Sequence, residues 1–207
     1  MPHILYSFRR CPYAMRARLA LAFAGISYEH REVDLKAKPA DLIAISAKAT
    51  VPVLQLSNTK IIDESYDIVM WALDQHYPEG WQVMTAEMSA DAESCYRQLQ
   101  HSFIPSLNKI KYPNRYEQVD MEAELSNAKQ FFIVLNNYLE QQAFICGDAP
   151  SYIDILTFPF MRQFDIAASD FMRQIASDNL LSWFDFWLQH PVFQKIMQKH
   201  AVWQKNT

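Results

Sequence analysis

A short apolar run, Ile4-Leu5-Tyr6, breaks into a polar turn and then, at Pro12, into a helix; the residue at the junction is Cys11. Proline at the first helical position costs no backbone hydrogen bond, because that N–H has no intrahelical partner in any case. Cys11 therefore falls at the N-cap, where free N–H groups and the positive end of the helix dipole favour an anion. Arg9, Arg10, Arg16 and Arg18 add positive charge nearby. A thiol so placed is expected to have a lowered pKa and to be partly thiolate at neutral pH. A lone cysteine is more usually a small inert apolar residue. That reading explains neither the proline that follows nor the four arginines.

The run from this junction to residue 77 alternates strand and helix. Met15, Leu19, Ala22 and Phe23 recur at helical spacing, and Gly25 makes a natural stop. Ile26 to Val33 suits a half-buried strand, and Lys38-Pro39 opens a short helical stretch through Ile43 and Ile45. Val51 to Leu56 reads as a strand, Ser57-Asn58-Thr59 as a turn and Lys60-Ile61-Ile62 as the return. Ser65 begins another helix, with Ile68, Val69, Ala72 and Leu73 on one face. The order β-α-β-α-β-β-α predicts a parallel pair first and an antiparallel hairpin last, the thioredoxin-like arrangement. Tyr77-Pro78-Glu79-Gly80 breaks the pattern, and beyond it strand-like runs disappear. The expected fold class is thus α/β plus all-α. Its parts are a thioredoxin-like domain over 1–77, a linker over 78–86 and a helical bundle over 87–207.

In the helical half, residues 87–111 carry Met88, Ala92, Cys95, Tyr96, Leu99 and Phe103 at helical spacing, with Pro105 as a kink. A long helix is expected from Tyr116 to Leu139. Ser151-Tyr152-Ile153-Asp154 is a capping-box variant with Asp in place of Glu, and Pro159 should bend the helix it opens. Trp183, Phe184 and Trp187 sit on a late helix that ends at His190-Pro191, with a final helix from Val192.

Composition excludes several classes. A net charge of −4 gives no reason to propose nucleic acid as a partner. No apolar stretch is long enough to span a membrane, and no basic-then-apolar signal pattern opens the chain, so a cytoplasmic location is expected. The three cysteines are widely spaced and odd in number, which points neither to a disulfide framework nor to zinc. The six histidines show no metal-ligand spacing, so no metal is expected. With three glycines there is no Gly-rich phosphate loop.

Two further stretches read two ways. Pro52 cannot donate to a sheet ladder, so it marks either a strand start or a special turn. If its peptide bond were cis, the Val51 backbone would be turned outward to pair with an extended ligand. Ser65 is a good N-cap and acid in a first turn is ordinary. Alternatively the Ser65 hydroxyl and the free N–H groups bind a carboxylate while Glu64 pairs with an amine.

Together these stretches resemble the glutathione S-transferase superfamily, and within it the cysteine-type branch that includes the omega class and bacterial relatives. The resemblance rests on Tyr6-Ser7, Cys11-Pro12-Tyr13-Ala14, Arg16, Arg18-Leu19, Gly25, Lys38-Pro39, Val51-Pro52-Val53-Leu54 and Glu64-Ser65. Cys-Pro-Tyr-Ala is also similar to the glutaredoxin motif Cys-Pro-Tyr-Cys, with Ala14 in place of the resolving cysteine. The resemblance implies a single catalytic thiol at Cys11, with glutathione as co-substrate, forming a mixed disulfide that a second glutathione releases. It implies that Tyr13 borders the thiol, Lys38 reaches the glycine carboxylate, Val51 pairs with the cysteinyl backbone beside a cis Pro52, and Glu64 and Ser65 hold the γ-glutamyl end.

Tyr6 occupies the place of the catalytic tyrosine of tyrosine-type transferases and does not by itself decide between branches. Ser7 stands on the wrong side of the turn relative to the helix start. The leading expectation is a thiol transferase or reductase acting on a disulfide or small electrophile. The alternatives are a conjugating transferase and a non-catalytic interaction protein. The superfamily is usually dimeric, so a homodimer is implied. Tyr96, Phe103, Tyr112 and Phe160 could line a second-substrate pocket, although aromatics at helical spacing are more often core. Cys95 and Cys146 read as small apolar residues.

Overall fold

The fold opens, in the computed structural model, on a central strand, β1 (His3–Ser7), paired on both sides. The structure describes residues 2–205. β1 lies parallel to β2 (Tyr28–Glu32), with Tyr6 opposite Arg31 and Ser7 opposite Glu32. On its other side it runs antiparallel to β3 (Val53–Gln55), which forms a hairpin with β4 (Ile61–Ile62). The sheet order is β2-β1-β3-β4, the parallel pair and antiparallel hairpin that the sequence predicts.

Helix α1 (Pro12–Phe23) is buried on nearly every side. Its alanines make that feasible: Ala14, Ala17 and Ala20 have no exposed surface, so neighbouring elements can approach the helix closely. α1 packs against α3 (Ser65–Gln75). The short helix α2 (Ala40–Ile45) follows the Pro39 N-cap. Glu64, not Ser65, is the N-cap of α3, and no side chain caps that end. The Ser65 capping expected from sequence is thereby corrected: Ser65 is already inside the helix.

Contacts group the described chain into two units. One runs to Glu79 and takes in the segment from His190 onward; the other is Gly80–Gln189. The sequence places all of 87–207 in the helical half, whereas the last segment groups with the sheet unit. There α9 (Pro191–Ile196) packs on α1. The Trp203 N–H donates to the Glu32 carbonyl at 2.8 Å, extending the open edge of β2. Lys205 reaches Asp41 at 2.8 Å. Helical periodicity forecast the final helix but carried no information about its partner.

The helical unit contains α4 (Ala86–Gln98), α5 (Ile104–Lys111), α6 (Met121–Leu139), α7 (Tyr152–Ile175) and α8 (Asp178–Gln189). A π-helical turn, Leu99–Phe103, joins α4 to α5 just ahead of Pro105. Pro105 lacks the N–H that an unbroken α-helix would need there. α6 starts later than Tyr116, at the Asp120 cap, whose carboxylate accepts from the Ala123 N–H at 3.0 Å. Ser151 and Asp154 form the expected capping box. The break in α7 falls at Ala168 instead of Pro159; nothing in the sequence marks Ala168. Phe103 and Phe160 are fully buried core residues, as are Cys95 and Cys146.

Candidate active site

The turn between β1 and α1 is held from below by one buried cation. Arg18, one α-helical turn and a half beyond Pro12, is only 1% exposed. Its Nη1 donates to the Ser7 hydroxyl at 2.5 Å and to the Phe8 carbonyl at 3.3 Å. Its Nη2 donates to the Arg9 carbonyl at 2.8 Å. From β2, Glu32 accepts the Arg9 N–H at 2.7 Å and meets the His30 ring at 2.9 Å. Burial works against the Glu32 charge, but His30, the Arg9 N–H and Arg18 outweigh it and hold the carboxyl below its usual pKa. The Cys11 N–H closes the turn onto the Phe8 carbonyl at 3.0 Å.

Cys11 is the N-cap of α1, with Pro12 at the first helical position, as the sequence predicts. Its Sγ lies 3.6 Å from the Val51 carbonyl, toward which the thiol can donate. The residue keeps part of its surface open, yet its sulfur is enclosed by protein atoms, and it packs against the cluster of Tyr6, Val33, Leu42, Val51 and Val53. Burial pushes the Cys11 pKa up. The N–H groups of Ala14 and Tyr13 and the charges of Arg18 and Arg16 oppose this without overcoming it. The lowered pKa expected from sequence is therefore corrected. The stabilising groups are where the motif puts them, but desolvation is the larger effect.

The two hydroxyls next to this thiol are engaged elsewhere. The Tyr6 hydroxyl accepts from Arg31 Nη1 at 2.6 Å. The Arg31 guanidinium is in turn paired with Glu29 at 2.6 Å and lies 4.2 Å over the Trp203 ring. Burial raises the Tyr6 pKa in spite of Arg31. The Ser7 hydroxyl is the acceptor of Arg18. The Cys11 thiol has no such commitment to a cation.

Val51 and Pro52 are buried beside Cys11, and the bond between them is cis. Ser65 is buried, at the uncapped start of α3. Glu64 is exposed and ion-paired with Lys48, a residue to which the sequence reading gave no role. Its pairing across 16 positions has no local signature. Lys38 is exposed in the loop before α2. Tyr13 is half-buried, with its ring 5.5 Å from the Arg16 guanidinium. The structure thus brings Cys11 and Val51 into direct contact and places Glu64 and Ser65 at an open helix N-terminus. Among the described residues, no cluster of His, Cys, Asp and Glu is able to hold a metal. No helix among them is long and apolar enough to cross a membrane.

A cysteine-capped helix on a four-stranded mixed sheet, followed by a separate helical unit, defines a two-part protein with a thioredoxin-like first unit. The family model for the glutathione S-transferase N-terminal domain matches residues 5–81, and that for the C-terminal domain matches 118–186. The chain belongs to the glutathione S-transferase family. It is similar to mouse glutathione S-transferase omega-1, with 30% identity over 168 residues, covering 78% of this chain and 66% of that protein. It thus spans just under two thirds of the length of that relative. It is also similar to the stringent starvation protein A homolog of Haemophilus influenzae, with 24% identity over 76% of this chain and 72% of that one. The fold matches that of glutathione transferase Omega 3C from Trametes versicolor, with a TM-score of 0.80 at 18% identity, over 97% of this chain and 90% of that one.

Proposed function

We propose that the protein is a glutathione-dependent thiol transferase or reductase with Cys11 as its only catalytic thiol. The Cys11 thiolate attacks the glutathione sulfur of a mixed disulfide, forming a Cys11–glutathione disulfide and releasing the substrate thiolate. A second glutathione thiolate then attacks that bond, giving oxidised glutathione and returning the Cys11 thiolate. Two electrons pass from two glutathiones to one disulfide, and no other reductant is needed. In this reading the Val51 backbone pairs with the cysteinyl part of glutathione and Lys38 reaches its glycine carboxylate. Ser65 and the free N–H groups of α3 take the γ-glutamyl carboxylate. Glu64 exchanges Lys48 for the γ-glutamyl ammonium, and Tyr13 borders the sulfur. We further propose a domain division near residue 80, a cytoplasmic location and a homodimer, as is usual for the superfamily.

The observation that carries the reading is the state of the three nucleophile-side groups. Tyr6 and Ser7 are 1% and 0% exposed, their oxygens accepting from Arg31 and Arg18, whereas Cys11 keeps part of its surface open, which favours Cys11 as the group that meets the glutathione sulfur. The test is intact mass after incubation with oxidised glutathione, with reduction of a glutathione mixed disulfide assayed in parallel. Wild type should gain a single glutathione adduct and Cys11→Ala none, with reductase activity falling about 100-fold or more in that variant. Tyr6→Phe should stay within about twofold of wild type. Noncovalent glutathione binding with no adduct would favour the conjugating transferase. Neither adduct nor binding would leave a non-catalytic interaction protein.

A further inference from the structure

Beside the turn, and separate from the Cys11–Val51 contact, the sheet unit contains a cavity of about 330 Å³ between α1, β2, α9 and the segment that follows α9. Arg18, Tyr28, His30, Lys195 and His200 line it, with Ile26 contributing to an apolar wall. No carboxylate is among its lining residues, although the chain as a whole carries −4. Glu32 stands behind His30, occupied by that ring and by the Arg9 N–H. Arg18 is buried and its Nε–H has no hydrogen-bond partner among the described residues, an arrangement that costs free energy unless something accepts that proton. The His30 and His200 rings are stacked 4.1 Å apart. Burial, His30 and Arg18 lower the His200 pKa, against the pull of Glu32. The cationic side chains lining the cavity are Arg18 and Lys195, with the Tyr28 hydroxyl and the His30 and His200 rings beside them.

We propose that this cavity binds a small phosphomonoester, its dianion set between Arg18 and Lys195 and its organic part against the Ile26 wall. The Arg18 Nη groups are spent on the turn, so Arg18 acts on the cavity through its charge from the wall, and together with the Lys195 ammonium it suits a dianion better than a carboxylate. The volume is in the range of small-ligand pockets and exceeds what a bare phosphate fills. Arg18 is shared with the Cys11 turn, whereas Lys195, Tyr28 and His200 have no part in the Cys11 chemistry, so substitutions at those positions test the cavity without touching the thiol reaction.

The test is calorimetric titration of the wild-type protein with phenyl phosphate, inorganic phosphate and benzoate at pH 7.5. Phenyl phosphate should bind saturably with a Kd under about 1 mM and at least about tenfold more tightly than either of the others. Lys195→Met and Tyr28→Phe should each weaken it about fivefold or more while leaving the Cys11 adduct with oxidised glutathione unchanged. The exposed Lys195 substitution is not expected to disturb folding, so it keeps the test valid if Tyr28→Phe unfolds the chain. A Kd of about 1 mM or weaker for phenyl phosphate, equal affinity for benzoate or inorganic phosphate, or an unaltered Kd in Lys195→Met would overturn the assignment.

Discussion

At Cys11 two electrostatic effects oppose each other, and their balance decides how reactive the resting thiol is. The helix N-terminus and Arg16 and Arg18 favour the thiolate, while enclosure against Val51 and its neighbours disfavours it, and enclosure wins. A thiol whose pKa is raised is less ionised at any given pH than a free one, so its nucleophilicity keeps growing through the alkaline range. Iodoacetamide should therefore modify Cys11 ever faster beyond about pH 9, with a midpoint above the ordinary cysteine value. The rate is read by mass spectrometry of the Cys11 peptide across a pH series. A plateau reached below about pH 8 would show that the helix terminus dominates after all. The residue types, their spacing and the helix start were all legible in the sequence. The enclosure was not, because Val51 meets Cys11 across 40 positions and only the completed sheet sets that contact. The same holds for Glu64, whose partner Lys48 no local pattern announces.

At the scale of elements, the N-terminus of α7 shows how a locally readable cap becomes the anchor of a unit. Asp154 is fully buried. Its carboxylate accepts from the Ser151 N–H at 2.9 Å, the Ser151 hydroxyl at 2.7 Å, the Ile145 N–H at 3.1 Å and the Trp183 indole at 2.8 Å. The first is one half of the capping box that Ser151-x-x-Asp154 predicts, and the second is a local side-chain bond beside it. The other two fasten the preceding loop and α8 to α7, and they follow from the tertiary packing alone. Replacing Asp154 with alanine leaves four buried donors without an acceptor, so the cost should be about 3–5 kcal/mol of stability. Urea unfolding followed by tryptophan fluorescence and circular dichroism measures it. A loss under about 1 kcal/mol would mean that water replaces the carboxylate cheaply. Asp154→Asn should recover part of the loss, since one amide oxygen still accepts while the NH₂ faces donors.

For the whole chain, the return of the last residues to the first unit is the feature least available to sequence reasoning. A helix could be forecast from Val192 and a helical half from the loss of strand patterns. Which unit that helix joins depends on α1 and β2, more than 150 residues away, and periodicity contains no term for it. The contacts made on returning are specific: the Trp203 N–H on the Glu32 carbonyl, the Trp203 ring over Arg31 and Lys205 on Asp41. They cover the edge of β2, a polar strand whose sequence Tyr28-Glu-His-Arg-Glu32 supplies little apolar burial of its own. Edge strands with unpaired backbone are the weakest part of a sheet. Removing residues 200–207 should therefore speed amide hydrogen exchange in β2 by about tenfold or more, while amides of α6 and α7 keep their protection. Trp203→Ala should give a smaller increase, because the backbone bridge to Glu32 survives and only the ring's contacts are lost, the stacking on Arg31, worth about 0.5–2 kcal/mol, and the edge contact with Tyr6. Exchange in β2 that the truncation leaves unaltered would show that β1 alone secures the strand and that the returning segment covers it without holding it. A uniform rise across both units would instead make the segment part of one cooperative fold, and it would place the stability of the Cys11 turn, which hangs from Glu32, under the control of the chain's last residues.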